Sequence, residues 1–370
     1  MGMTDFGALS ALKKKAWSVT VSKQGRDDNF FMSNGFLSAS TSDTSKPIQR
    51  VTELTATERG TECVLPLVAD ITGGIVGDNQ LEGNEAVLTT DSQTIRIDQL
   101  RNAVRTKGRM AEQSTVLRFR AQAKDALAFW LADTIDEIFF LTIAGRSYTY
   151  NTDGSTRSGS QLPSISFNAD VVAASTNRIV YAGSATSEAT LTAADTMTLD
   201  LVTTMKAAAK RKRIRPIRAG GRNFYVLVLS TEQSRDLEKT SDWKTANAQA
   251  MPRGLDNPLF TNAKKVWNDI VIYDHQKVYN TLGLGSGSRW GAVGTVHGAQ
   301  AFLMGAQALG YAELSEGSTM EEADNTDYKA RPGIGIGRII GCLKPQFKSK
   351  ADSNSREDYG TYALKTAAAA

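Results

Sequence analysis

A chain of 370 residues with 41% hydrophobic and 22% charged residues is long enough to bury a core unaided, and its composition excludes a disordered or collagen-like polymer. Two cysteines, Cys63 and Cys342, exclude a disulfide scaffold, and two histidines, His275 and His297, leave little for a zinc site or histidine-based catalysis. The net charge of +4 names no partner by itself, and no stretch reads as an export signal or membrane span, so folding in a cytoplasm is expected.

Residues 1–60 show no sustained period. They read as an extended or partly ordered arm carrying Lys13, Lys14, Lys15, Lys23 and Arg26, or as an ordinary mobile terminus. Two strand-like runs follow at 62–69 and 94–107, the second alternating with a break near Leu100. Between them, 70–93 holds Gly73, Gly74, Gly77 and Gly83 together with Ile71, Ile75, Val76, Leu81, Val87 and Leu88. A connection that long is unusual inside a compact domain, and an isolated hairpin cannot bury those side chains on itself, so something else must cover it. Residues 114–143 give the clearest helix, with Val116, Phe119, Ala123, Leu127, Trp130, Leu131, Ile135, Ile138 and Phe139 at three- and four-residue steps and Gly145 as its stop. Its charges oppose the macrodipole: Arg118, Arg120 and Lys124 lie near its start, and Asp133, Asp136 and Glu137 near its end. Outside partners or solvated side chains both explain that placement.

Residues 148–192 read as loops with short strands, and 193–212 as a second helix with Met197, Leu201, Met205 and Ala208 on one face. A short apolar strand at 224–229 precedes a helix capped by Ser230 or Thr231. Further strands are expected at 266–273 and 290–296, and a small helix at 299–309. At 333–341, alternating Gly and Ile predict a strand whose glycines let another backbone come close. Helices and strands mix without regular βαβ alternation, which argues for an α+β fold.

No P-loop, helix-opening G-x-G-x-x-G, G-x-S-x-G, C-x-x-C or H-E-x-x-H occurs, so nothing supports an enzyme, a cofactor or a metal. The strong signal is charge in blocks. Residues 62–98 carry seven acids and one base, and 101–124 carry seven bases and one acid. Residues 206–218 carry seven bases and no acid, and 313–327 six acids and no base. Two matched pairs of opposite sign suggest contact between copies of the chain. The residues singled out for it are Asp78, Glu82 and Glu85 with Arg109, Arg118 and Arg120, and Arg211 and Arg213 with Glu321 and Glu322. The competing reading takes 206–218 as a nucleic-acid patch, although no aromatic interleaves it.

The stretch PLVADITGGIVGDNQLEGNEAVLTTDSQTIRIDQLRNAVRTKGRMAEQ, residues 66–113, resembles the major capsid proteins of tailed bacteriophages. The likeness is to the family typified by the coliphage N-four major capsid protein. Leu81-Glu82-Gly83-Asn84-Glu85 and Ile97-Asp98-Gln99 carry most of it. The resemblance implies a Hong Kong 97-type fold. Its parts would be an N-terminal arm (1–60), an extended hairpin loop (61–108), a peripheral domain with a long spine helix (109–190), an axial domain (191–330) and a return to the peripheral domain with the C-terminal tail (331–370). It implies hexamers and pentamers closing an icosahedral head shell, assembled in the host cytoplasm as part of the virion. The partners implied are other copies of the chain, packaged double-stranded DNA by non-specific contact, and portal, scaffold or decoration proteins, with no membrane. A cellular encapsulin-type shell protein, which shares the fold, is the other reading of the same resemblance.

Overall fold

The computed structural model describes residues 29–53, 60–68, 74–85, 90–105, 119–219, 221–249, 265–314, 319–323, 333–349 and 355–368. In chain order, α1 (Phe30–Ser33) and β1 (Ile48–Val51) come before β2 (Glu62–Val68) and β3 (Thr90–Arg96), and β4 (Asp98–Arg105) before the long helix α2 (Phe119–Ala144). Then come β5 (Ile179–Tyr181), α3 (Leu199–Arg211), β6 (Ile217–Ala219), β7 (Arg222–Leu229), α4 (Thr231–Lys239), α5 (Ser241–Gln249), β8 (Lys265–Trp267) and β9 (Ile270–Asp274). The rest is strand: β10 (Gly298–Met304), β11 (Leu309–Glu313), β12 (Thr319–Ala323), β13 (Gly333–Leu343), β14 (Gln346–Ser349), β15 (Ser355–Asp358) and β16 (Thr361–Ala367). Two compact units form. The larger comprises Phe31–Asp98, Asp136–Ser315 and Ile339–Ala370, and the smaller Met1–Phe30, Gln99–Ile135 and Glu316–Arg338.

The larger unit is built on a mixed sheet in the order β5–β16–β10–β7–β9–β8, with β6 also on β7. Every residue of the central β10 is buried. Alternation along its neighbours assigns the two faces. On one face Tyr225, Leu227, Leu229, Ile270, Ile272, Ala301 and Leu303 pack under α3, α4 and α5 through Val202, Met205, Ala209, Leu237 and Trp243. On the other, Phe302 meets Phe140 edge-on at 5.9 Å, Phe140 stacks on His275 at 4.7 Å, and Tyr273 meets Phe36 at 5.5 Å. Phe31, Phe139 and Tyr311 extend the aromatic cluster. Such pairs are each worth ~0.5–1.5 kcal/mol beyond their buried area. From Ile138 to Ala144, α2 therefore sinks into the core on every side, and Phe139, Phe140 and Leu141 are fully buried. The helix stops where Gly145 turns left-handed (φ +68°), its N–H bonding Thr142 O and that of Arg146 bonding Leu141 O.

In the smaller unit β12 runs antiparallel to β13, from Thr319↔Gly337 to Ala323↔Gly333. The strand β4 also pairs with β13.

Several elements differ from expectation. The run 94–107 is two strands parted at Ile97, whose N–H leaves the ladder for Thr61 O at 3.0 Å. The helix expected over 193–212 starts only at Leu199, because the Thr198 hydroxyl caps it by accepting from Leu201 N–H. The run 266–273 is the β8–β9 hairpin: Asn268 (φ 47°) and Asp269 (φ 62°) take the two left-handed positions of a tight turn. Residues 290–296 make only a single bridge, Trp290↔Val296. The helix expected at 299–309 is instead β10 and the start of β11, parted by a turn with Gln307 at φ 58°. A strand buried on both faces shows no period that tells it from a buried helix. The glycines of β13 behave as expected: a Cβ at Gly341 would lie 2.1 Å from Arg96 O.

Candidate assembly surfaces

The base of the β2–β3 hairpin belongs to the core of the larger unit. The strands pair antiparallel from Glu62↔Arg96 to Val68↔Thr90. Ile95 is fully buried with Val51, Ile97, Ala312 and Leu343, and Cys63 and Leu65 pack against that cluster. Polar links fix the base further. Arg96 donates to Glu62 at 3.0 Å and to Asp170 at 2.9 Å. Arg356 donates to Asp91 at 3.1 Å, and the Gln346 N–H to Gln93 Oε1 at 2.9 Å. Partial burial pushes the Asp170 carboxyl up, and the Arg96 guanidinium draws it back down.

The tip is different. Residues 74–85 fold into two successive turns, with Gly77 (φ +64°) and Gly83 (φ +84°) at left-handed positions. Asn84 N–H bonds Leu81 O at 2.9 Å, Asn84 Nδ2 bonds Gln80 O at 2.9 Å, and Gly83 N–H bonds Glu85 Oε2 at 2.8 Å. This defined shape leaves Ile75 100% and Leu81 63% exposed. Asp78, Glu82 and Glu85 stand exposed around them, and 74–85 holds no basic residue. Removing one such apolar side chain from water contributes ~1.5–3 kcal/mol.

The basic run 206–218 is not a uniform patch. Lys206 is buried, and its Nζ bonds Asp269 and Asn268 at 2.6 Å each, holding the Asp269 carboxyl below its usual value. Arg178 Nη1 takes Lys212 O at 2.9 Å. Arg211 ends α3, and Arg213 follows it in a left-handed turn (φ 58°) that lets Ile214 N–H reach Ala209 O at 3.0 Å. Arg211, Arg213, Arg215 and Arg218 are exposed. The acidic run 313–327 divides too. Glu313 is 8% exposed and lies 3.5 Å from Arg50, while Glu321 and Glu322 stand opposite Gly335 and Ile334 in the β12–β13 ladder. Glu316, Asp324, Asp327, Arg109 and Arg118 lie outside the described residues, and Arg120 falls in the first turn of α2 with its side chain outside them.

Of the residues chosen from sequence, the structure brings Asp78, Glu82 and Glu85 together on one tip. The anchors Asp91, Asp170 and Arg356 were missed. Arg356 and Asp91 are 265 residues apart and carry no local pattern that links them. Among the described residues no cluster of His, Cys, Asp or Glu could hold a metal ion, and no helix is long and apolar enough to cross a membrane.

Comparison with known proteins gives a family and a fold. The phage capsid protein family matches residues 5–370. A major capsid protein of Pseudomonas phage KPP25 is 39% identical over 376 residues, covering 99% of this chain and 98% of the relative. The capsid of Ralstonia phage GP4 superposes with a TM-score of 0.78 at 24% identity, over 96% of this chain and 95% of that one. The cyanophage Pam1 capsid superposes with a TM-score of 0.74 at 19% identity, over 99% and 100%.

Proposed function

This chain belongs to the phage capsid protein family, a major capsid protein whose role is structural in the icosahedral head shell, and we propose that it fills that role through a Hong Kong 97-type arrangement of its parts. In that arrangement 1–60 is the N-terminal arm, 61–108 the extended loop, 109–190 the peripheral domain with α2 as spine helix, and 191–330 the axial domain, with 331–370 returning to the peripheral domain. Copies associate first into hexamers and pentamers in the host cytoplasm, and the closed shell encloses double-stranded DNA through non-specific contacts.

The observation that carries this reading is the hairpin. Its base is anchored in the chain's own core, while its tip holds a fixed shape with Ile75 and Leu81 in solvent among three carboxylates. A tip of that kind is an assembly element: a neighbouring copy supplies the cover, and its basic segment 101–124 the countercharge. In the same way Arg211 and Arg213 of one copy face Glu321 and Glu322 of the next around the capsomer, where reversing both sets together restores what reversing one set loses.

The test replaces 74–85 with a short Gly/Ser turn. The strand β3 and its anchors Asp91 and Gln93 stay in place, so the subunit remains folded and soluble, and electron microscopy shows no closed shells. Normal particles from this variant would remove the tip from assembly.

A further inference from the structure

In the larger unit, the loops that follow α2 and β9 border a cavity of about 430 Å³, within the ~300–1,000 Å³ range of small-molecule sites. Arg146, Tyr150, Glu188, Tyr279, Arg289 and Trp290 are among its lining residues. The acid is already engaged: Glu188 Oε1 accepts from Arg146 Nη2 at 2.9 Å and from Lys365 Nζ at 2.6 Å. The Arg146 guanidinium lies 4.6 Å from the centre of the Tyr279 ring. Arg289 is oriented but unmatched. Its Nε donates to Leu284 O at 2.9 Å, and neither Nη atom has a partner among the described residues. Tyr279 is 6% and Trp290 5% exposed, yet the phenol hydroxyl and the indole N–H have no partner among the described residues either. The same holds for the hydroxyl of Tyr150, whose side chain is 43% exposed. Burial pushes the Tyr279 hydroxyl up, so it remains a proton donor at neutral pH. Donors on so buried a wall are costly to leave unmatched, and what they lack in common is an acceptor.

We propose that this cavity is a binding site for a small organic carboxylate, its oxygens on the Arg289 guanidinium and the hydroxyls of Tyr150 and Tyr279, and its apolar body against Leu284 and Trp290. The site does not depend on the assembly reading above. Its charges fit a single negative group. Arg146, Lys365 and Arg289 stand against Glu188 and Asp153, the latter close enough to act on the Tyr279 hydroxyl, which leaves a surplus of one positive charge. A guanidinium with both Nη atoms open matches the two oxygens of a carboxylate in its own plane. A nucleic-acid backbone is the other anion an arginine takes. Its successive phosphates would pass the carboxylates of Glu188 and Asp153, and the cavity has room for a group of side-chain size, not for a duplex. The aromatic walls also favour a ligand with an apolar body over a bare inorganic anion.

The test is a calorimetric titration of the purified protein with N-acetyl-phenylalanine. A ligand of that size should bind with a dissociation constant near ~1 mM. N-acetyl-phenylalaninamide, which lacks the charge, should bind about tenfold more weakly, as should the acid to an Arg289→Gln variant. Tyr150→Phe removes one hydroxyl and leaves the exposed ring in place, and should weaken the acid about fivefold. Failure of the parental protein to bind the acid overturns the site. Equal binding of acid and amide, or an affinity unchanged in both variants, does the same. Tighter binding of phenyl phosphate than of the acid would assign the cavity to phosphate and overturn the carboxylate. Binding by free subunits but not by assembled particles would make the cavity a contact between copies and overturn it as well. None of these outcomes requires the shell to fail, so the structural role stands apart from the result.

Discussion

Replacement of Asp358 by alanine should be among the most damaging single changes in the larger unit. Lys344 and Asp358 face each other at 3.1 Å with side chains 1% and 2% exposed. The same carboxylate also accepts from Gln346 Nε2 at 2.8 Å and from the Ser175 N–H at 3.1 Å, and the Ser175 hydroxyl takes the Asp358 N–H at 2.9 Å. One acid thus holds the β14–β15 hairpin, the end of β13 and the segment before Asn177 together. Its removal leaves a buried ammonium uncompensated, which costs ~3–5 kcal/mol. The double exchange Lys344→Met with Asp358→Leu should be neutral or stabilising, because the desolvation of both charges is then avoided.

The penalty should also depend on pH. Burial pushes the Lys344 ammonium below its usual value, and Asp358 opposes that shift. A lysine depressed in this way binds fewer protons folded than unfolded between its folded value and ~10.4, so stability rises as pH climbs through that window. Without Asp358 the depression deepens, and the loss is greatest near pH ~7 and smaller near pH ~10. Denaturant unfolding of the unassembled subunit, followed by tryptophan fluorescence, measures this at both pH values. A loss below ~1 kcal/mol, or a double exchange as damaging as the single one, would refute the reasoning.

Gly341→Ala should destabilise by more than ~1 kcal/mol, since its methyl would meet the Arg96 carbonyl, and the same unfolding assay reads it. Cys342 is buried, with its thiol pushed up to about 12, so maleimide should leave it unmodified in native protein, while Cys63, raised less and half-buried, reacts slowly; peptide mass spectrometry distinguishes them. Assembly followed by light scattering should slow above ~0.15 M salt, where the screening length is ~8 Å, and Glu82→Gln with Glu85→Gln should flatten that dependence.

What the sequence made legible followed from period and end signals. The second half of α2 carries its apolar residues at helical steps, Gly145 ends it, and Ser230 with Gln233 forms a reciprocal cap, so these elements stand as read. β10 was misread because Gly298–Met304 packs on both faces, and two-sided burial erases alternation. The β8–β9 turn was missed because Asn268-Asp269 lacks the glycine that usually marks two left-handed positions. At the candidate surface, the charges were legible as blocks, yet the blocks overstated what is left for another copy: Lys206 of the basic block serves Asp269 of its own chain, and Asp91 of the acidic block is held by Arg356. Composition counts charges without saying which are already satisfied by segments distant in sequence.

That division of charges bears on how a shell can close. Lys206, Glu313, Lys344 and Lys365 are each buried beside an ion-pair partner of their own chain, and the pair buried on both sides, Lys344–Asp358, is costly to break. These charges are met within the larger unit, without a neighbouring copy. The acids of the tip and the arginines at 101, 105, 211 and 213 are exposed, where a single pair yields only ~0–1 kcal/mol. Weak contacts let a misplaced copy leave. In the proposed arrangement, repetition of such contacts across many copies would hold the closed shell, because each bond after the first forms at high effective concentration. A tip that offered only Ile75 and Leu81 would bind any apolar surface. Under the proposed assembly role, ringing them with three carboxylates would make countercharge on the covering copy the condition for burying them, tying the stronger, non-directional term to the weaker one that sets register.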